Sequence, residues 1–171
     1  MDILKKNYFD LFGIEEGIDI NISSLNKKYN HLQQQFHPDK YANSSSHEKR
    51  LALQISSYVN DAYITLGDLV KRIEYILKIN NFNRDESETI KDSDFLLEQI
   101  QYNEFVDNLQ SKNQEEIRSY KNDISKKIHS AIGITKQSYK DNDFANLWNH
   151  LSKLRFYIKH VNELTNLENN Q

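Results

Sequence analysis

Cysteine is absent from this chain of 171 residues, proline occurs once and glycine four times. Without cysteine there can be no disulfide, no thiolate metal site and no cluster held through cysteine. So little proline and glycine leaves small room for sheet or long loops. No apolar run approaches the ~20 residues that cross a bilayer. The start, Met1-Asp2-Ile3-Leu4-Lys5-Lys6, has an early acid and no apolar signal core, so a cytoplasmic protein with no membrane association is expected. A net charge of −3 and a pI of about 6.1 give no basic footprint for nucleic acid. The six histidines are scattered, and none pairs at i, i+4 with a carboxylate as a zinc helix requires. No metal and no other cofactor is expected. Hydrophobic content of 37% and charged content of 27% suit an all-α globular chain of one or two small domains.

The single proline stands in His37-Pro38-Asp39-Lys40. Proline excludes helix geometry from the residue before it, so a helix must end by His37. Asp39 is expected to accept hydrogen bonds from nearby backbone N–H groups and hold a tight, exposed turn. Upstream, Leu25, Tyr29, Leu32 and Phe36 recur on one helical face, with Asn21 as N-cap, predicting a helix from about Ile22 to Gln35. Its other side is polar, and no acid lies between Ile20 and Phe36. Downstream, Ser45 and Glu48 form a capping-box pattern. A second helix follows with Leu51, Ile55, Tyr58, Val59, Ala62 and Leu66 inward. Two such helices joined by roughly ten residues read as an antiparallel hairpin with the turn at its tip. Tyr8 to Phe12, ended by Gly13, and Leu69 to Ile79, with Ile73, Ile76 and Leu77 apolar, read as short flanking helices.

This arrangement resembles the J-domain, the module that activates ATP hydrolysis by Hsp70-type chaperones. The resemblance rests on Tyr8, Phe9, Leu11, Phe12 and Gly13; on Tyr29, Leu32 and Phe36 to Lys40; on Asn60, Ala62, Tyr63 and Leu66; and on Arg72, Tyr75 and Leu77. It implies that His37, Pro38, Asp39 and Lys40 meet the chaperone, with Lys27, Lys28 and His31 as electrostatic contacts. Two departures bear on this. Gln34 stands where a basic residue is common, which weakens the electrostatic pull. Leu69 follows Asp68 where proline is frequent, so a less sharp start to the last short helix is expected.

The resulting division is a J-domain over 1–80, a polar linker over 81–92 and a three-helix bundle over 93–171. Helices are predicted at about 93–110, 113–138 and 142–165. The second carries Ile117, Tyr120, Ile124, Ile128, Ala131 and Thr135 on one stripe; the third carries Phe144, Leu147, Leu151, Leu154, Ile158 and Val161. Gly133 weakens the middle helix without ending it. Several large residues fall off these stripes. On the first helix, Phe95, Tyr102, Val106 and Leu109 share one side, while Leu96, Leu97 and Ile100, with Glu104 among them, lie roughly opposite. On the last, Phe156, flanked by Arg155 and Lys159, projects away from its stripe. Either these residues complete a wider core, or they form an exposed partner surface.

Asp92 to Ile100 and Lys153-Leu154-Arg155-Phe156, with Tyr75-Ile76-Leu77, resemble the HscB-type co-chaperones of iron–sulfur cluster assembly, bacterial type, across nearly the whole chain. The resemblance implies an HscA-like Hsp70 partner for the first domain. It also implies an IscU-like scaffold protein bound by the bundle through Leu96, Leu97, Ile100, Glu104 and Phe156. Gln101 stands where an acid is frequent. The expectation is a monomeric co-chaperone that is not an enzyme. The alternatives are a J-protein with another client, a hydrolase using His37 and Asp39, or a nucleic-acid binder using Lys27 and Lys28. A hydrolase would need a pocket, nucleophile and oxyanion site that the surrounding sequence does not supply. Two lysines are too few for strong phosphate binding.

Overall fold

Every regular element among the described residues is helical, as the scarcity of glycine and proline predicts. The computed structural model describes residues 3–82 and 92–169. The chain divides into two compact units, Met1–Phe82 and Asn83–Gln171. Most of the expected linker, residues 83–91, lies outside the described residues. No helix among the described residues is long and apolar enough to cross a membrane.

The first unit contains α1 (Tyr8–Phe12), α2 (Ile22–Phe36), α3 (Ser46–Gly67) and α4 (Leu69–Ile79), preceded by a short 3-10 turn. Each helix starts on a side chain that satisfies a free N–H group. Asn7 accepts from Asp10 at 2.8 Å, and Asn21 from Ser24 at 2.9 Å. Ser45 and Glu48 complete the capping box reciprocally. Asp68 accepts from the Lys71 N–H at 2.9 Å. That bond gives α4 a sharp start at Leu69 without the proline, correcting the expected looseness. Gly13 ends α1 with φ of 53°, left-handed backbone that favours glycine.

Phe9, Phe12, Leu25, Val59, Ala62, Leu66, Ile73 and Ile76 form the core of this unit. The α3 stripe differs from expectation at one place. Leu51 is 40% exposed, and Ala52 is buried in its stead. Arg72 is buried, and its guanidinium donates to the carbonyls of Ile18 and Leu66. Burial pulls its pKa below the usual range, while Asp19 and Asp68 oppose that shift.

The second unit contains α5 (Ser93–Asp107), a 3-10 turn (Leu109–Ser111), α6 (Gln114–Lys140) and α7 (Phe144–Asn169). The path runs up, down and up, so α5 and α7 are parallel. Asn113 and Glu116 form a second capping box at the start of α6. Gly133 sits inside α6 without interrupting it. The α6 stripe is inward as predicted, with Ile117, Ile124, Ala131 and Thr135 buried. On α7, Leu147, Leu151 and Leu154 are buried, but the stripe does not continue cleanly through Ile158 and Val161. Tyr157, His160 and Leu164 are buried instead. Helix α7 packs against two neighbours and therefore carries two inner stripes, the second meeting α5.

Candidate functional site

The His37-Pro38-Asp39 corner is built as the proline dictates, but with the polar roles exchanged. His37 leaves the helix at ψ of 128°, and Pro38 opens a 3-10 turn over Pro38–Tyr41. The His37 imidazole, not the Asp39 carboxylate, holds the backbone: its Nδ1 accepts the Asp39 N–H at 3.3 Å. The Asp39 carboxylate lies 3.5 Å from the same Nδ1, and its side chain is 90% exposed. Tyr41 donates its hydroxyl to the Gln35 carbonyl at 3.4 Å, closing the turn onto α2. The carboxylate is thus presented outward on a corner whose shape does not depend on it.

A groove of about 390 Å³ beside the corner is lined by Asn30, Gln33, Gln34, His37 and Lys40. Lys27 and His31 are exposed on the same helix. Lys28 is half-buried, and its Nζ donates to the Gly13 carbonyl at 2.5 Å. One of the two expected lysine contacts is therefore tied to the end of α1, so its ammonium keeps its charge but is less free to reach toward a partner.

The off-stripe residues of the bundle separate into two groups. Leu96, Leu97 and Ile100 are 43%, 54% and 55% exposed, and Glu104 is exposed with them. Phe95 and Tyr102 on the same helix are buried. Phe156 behaves differently. It is partly buried and packs edge-on against Phe95, Tyr102 and His160 at 5.3, 5.8 and 4.0 Å between ring centroids. It completes a wider core, because the second stripe of α7 runs past it. The exposed-surface reading of Phe156 is corrected to that extent.

Polar side chains that the stripe reading missed fasten α5 to its neighbours. Asp92 caps α5 and takes Lys153 Nζ at 2.6 Å, which holds its carboxyl below the usual range. Glu98 accepts the Tyr157 hydroxyl, and Tyr102 donates to Glu163 at 3.1 Å. Burial, with the adjacent carboxylates, pushes both phenols well above their ordinary pKa. His160 is 7% exposed, with its Nδ1 3.2 Å from Glu163. Burial lowers its pKa, Lys159 adds to the lowering, and Glu163 opposes it. The sequence signal was there: Tyr157, His160 and Leu164 lie three and four apart, the spacing of a helix face.

A co-chaperone protein HscB homolog from Shewanella denitrificans is 33% identical over 168 residues, spanning 95% of this chain and 97% of that protein. The chain belongs to the HscB co-chaperone family. An HscB homolog from Neisseria meningitidis is likewise 33% identical, over 160 residues, covering 92% of this chain and 96% of its own length. The family model described as the HSCB C-terminal oligomerisation domain matches residues 91–165. Among solved structures, chaperone HscB from Vibrio cholerae superposes with a TM-score of 0.88 at 25% identity, covering 96% of this chain and 99% of that one. The human co-chaperone HscB shares the fold at the same TM-score of 0.88 and 23% identity, covering 96% of this chain and 83% of that one. The HscB architecture, a J-domain followed by a helical bundle, therefore holds for this chain.

Proposed function

We propose that this HscB-family chain is a bivalent adaptor with no chemistry of its own, joining an HscA-like Hsp70 chaperone to an IscU-like iron–sulfur scaffold protein in the cytoplasm. One observation carries the reading. Helix α5 exposes Leu96, Leu97 and Ile100 together while its opposite face is buried, and a cluster of apolar side chains left in water marks a partner surface. Glu104 supplies an acidic edge, and Phe156, only partly buried, is read as a further contact. At the other unit, His37, Pro38, Asp39 and Lys40 engage the chaperone, steered by Lys27 and His31 and more weakly by Lys28.

Binding energy does the work. Docking of the turn favours the chaperone conformation that hydrolyses ATP, which is a population shift. Holding the scaffold on the same chain raises its effective concentration beside the chaperone. The test is steady-state ATP hydrolysis by the HscA-like chaperone, titrated with this protein with and without scaffold. Stimulation greater with both than with either alone supports the adaptor. Stimulation indifferent to scaffold would reassign the client, and no stimulation would refute the role of the turn.

A further inference from the structure

We propose that Glu98 is a positioning residue for the exposed face of α5, setting the rotation at which Leu96, Leu97 and Ile100 are presented together. The inference rests on the reading of that face as the scaffold site. Glu98 Oε2 accepts the Tyr157 hydroxyl of α7 at 2.5 Å and lies 3.1 Å from Lys127 Nζ of α6. A single carboxylate thus reaches both other helices of the bundle, from a position directly after Leu97 and two before Ile100. At about 100° per residue it falls on the flank of α5, between the buried arc of Phe95 and Tyr102 and the exposed arc.

Other contacts along the seam act elsewhere on the helix. Phe95 and Tyr102 pack edge-on against Phe156 of α7, and Phe105 stacks on Tyr120 of α6 at 3.9 Å, two turns beyond Glu98. Asp92 with Lys153 and Tyr102 with Glu163 are directional, yet each ties α5 to α7 alone. Two attachments to one neighbour define an axis about which a helix can turn. Glu98 adds a directional tie to α6, on the other side of that axis. Tyr157 is 6% exposed and its phenol stays protonated, so the donor is always available. The carboxylate itself remains 29% exposed, close to where a partner would sit.

The experiment uses the full-length protein and its apo scaffold protein, with wild type titrated first. Glu98→Ala removes both ties. Glu98→Gln keeps an oxygen for Tyr157 but loses the charge facing Lys127, and Tyr157→Phe keeps the ring but loses the donor. With folding verified by circular dichroism at the assay temperature, Glu98→Ala is expected to weaken scaffold affinity roughly tenfold through faster dissociation. Amide exchange in α5 should rise before scaffold is added. Tyr157→Phe, which leaves the tie to Lys127, should keep most of the affinity, Glu98→Gln should fall between it and Glu98→Ala, and scaffold-independent ATPase stimulation should be unchanged in all three. Wild-type affinity in a folded Glu98→Ala protein overturns the proposal, as does an affinity loss that only tracks the unfolded fraction. A wild type that binds no scaffold would overturn the scaffold reading itself, and the proposal with it.

Discussion

Replacing Phe156 by alanine separates packing from recognition in the bundle. The ring meets Phe95, Tyr102 and His160 edge-on. Truncating a fully buried phenylalanine costs about 3–5 kcal/mol, and for a partly covered ring roughly half of that applies. Edge-to-face aromatic pairs add on the order of 0.5–1.5 kcal/mol. The sum is about 2–4 kcal/mol, and for a helical unit of this size each kcal/mol moves Tm by roughly 4–8 °C. Phe156→Ala should therefore lower the melting temperature of the bundle by about 10–30 °C. Leu97→Ala is the control, because Leu97 is 54% exposed and surface changes stay near ~0.5 kcal/mol. Thermal melts followed by circular dichroism measure stability, and calorimetric titration with scaffold measures binding at a temperature where both variants are folded. Leu97→Ala should melt close to wild type and bind scaffold more weakly. Phe156→Ala should melt early. A Phe156→Ala protein with wild-type Tm would refute its packing role, and a Leu97→Ala drop of equal size would place Leu97 in the core.

Three further outcomes follow from the same structure. Asp39→Asn should abolish chaperone ATPase stimulation with no loss of stability, since the side chain is 90% exposed and the turn is held through His37; full stimulation by the folded variant would remove Asp39 from the mechanism. The folded-state pKa of His160 is depressed by burial, so its contribution to stability is complete above the unfolded value of about 6.5 and is lost as pH falls through the lower folded value. The urea midpoint of the bundle should fall between pH 7.5 and 5, and His160→Gln should flatten that fall. Arg72→Leu leaves the carbonyls of Ile18 and Leu66 without their donor, at about 1–3 kcal/mol for each group that stays dry. It should destabilise the first unit severely in a urea titration while leaving scaffold affinity intact.

Local chemistry made much of this fold legible. Asn21, the Ser45–Glu48 box and Gly13 act within one helical turn of their partners, and Pro38 acts on its immediate neighbour. Such features need no tertiary information. The helix starts at Ile22 and Leu69 consequently agree with the sequence reading. What escaped it depends on neighbours distant along the chain. A single-stripe reading of α7 suits a helix with one partner, yet this helix has two. Tyr157 and His160 look like poor core residues until Glu98 and Glu163 are placed against their polar tips. Phe156 looked unpartnered for the same reason. Within the turn, Asp39 and His37 both had the chemistry to hold the backbone, and only geometry decides between them. On α5 both sides carry large apolar residues, so the sequence left two alternatives open, and only packing shows that Phe95 and Tyr102 turn inward while Leu96, Leu97 and Ile100 do not.

The unequal helix lengths of the bundle have a practical consequence. Helices α6 and α7 have 27 and 26 residues against 15 in α5, which at ~1.5 Å per residue makes the pair close to twice as long. Since Asp92 at the head of α5 is level with Lys153, the first nine residues of α7 and the matching end of α6 run on beyond the start of α5. The connection between them, residues 140–143, is exposed and already takes left-handed backbone at Asn142. A fluorophore or a small folded insert grafted there would sit more than ~10 Å along the axis from the Leu96–Ile100 face, a ready-made attachment point for watching scaffold capture without touching that face.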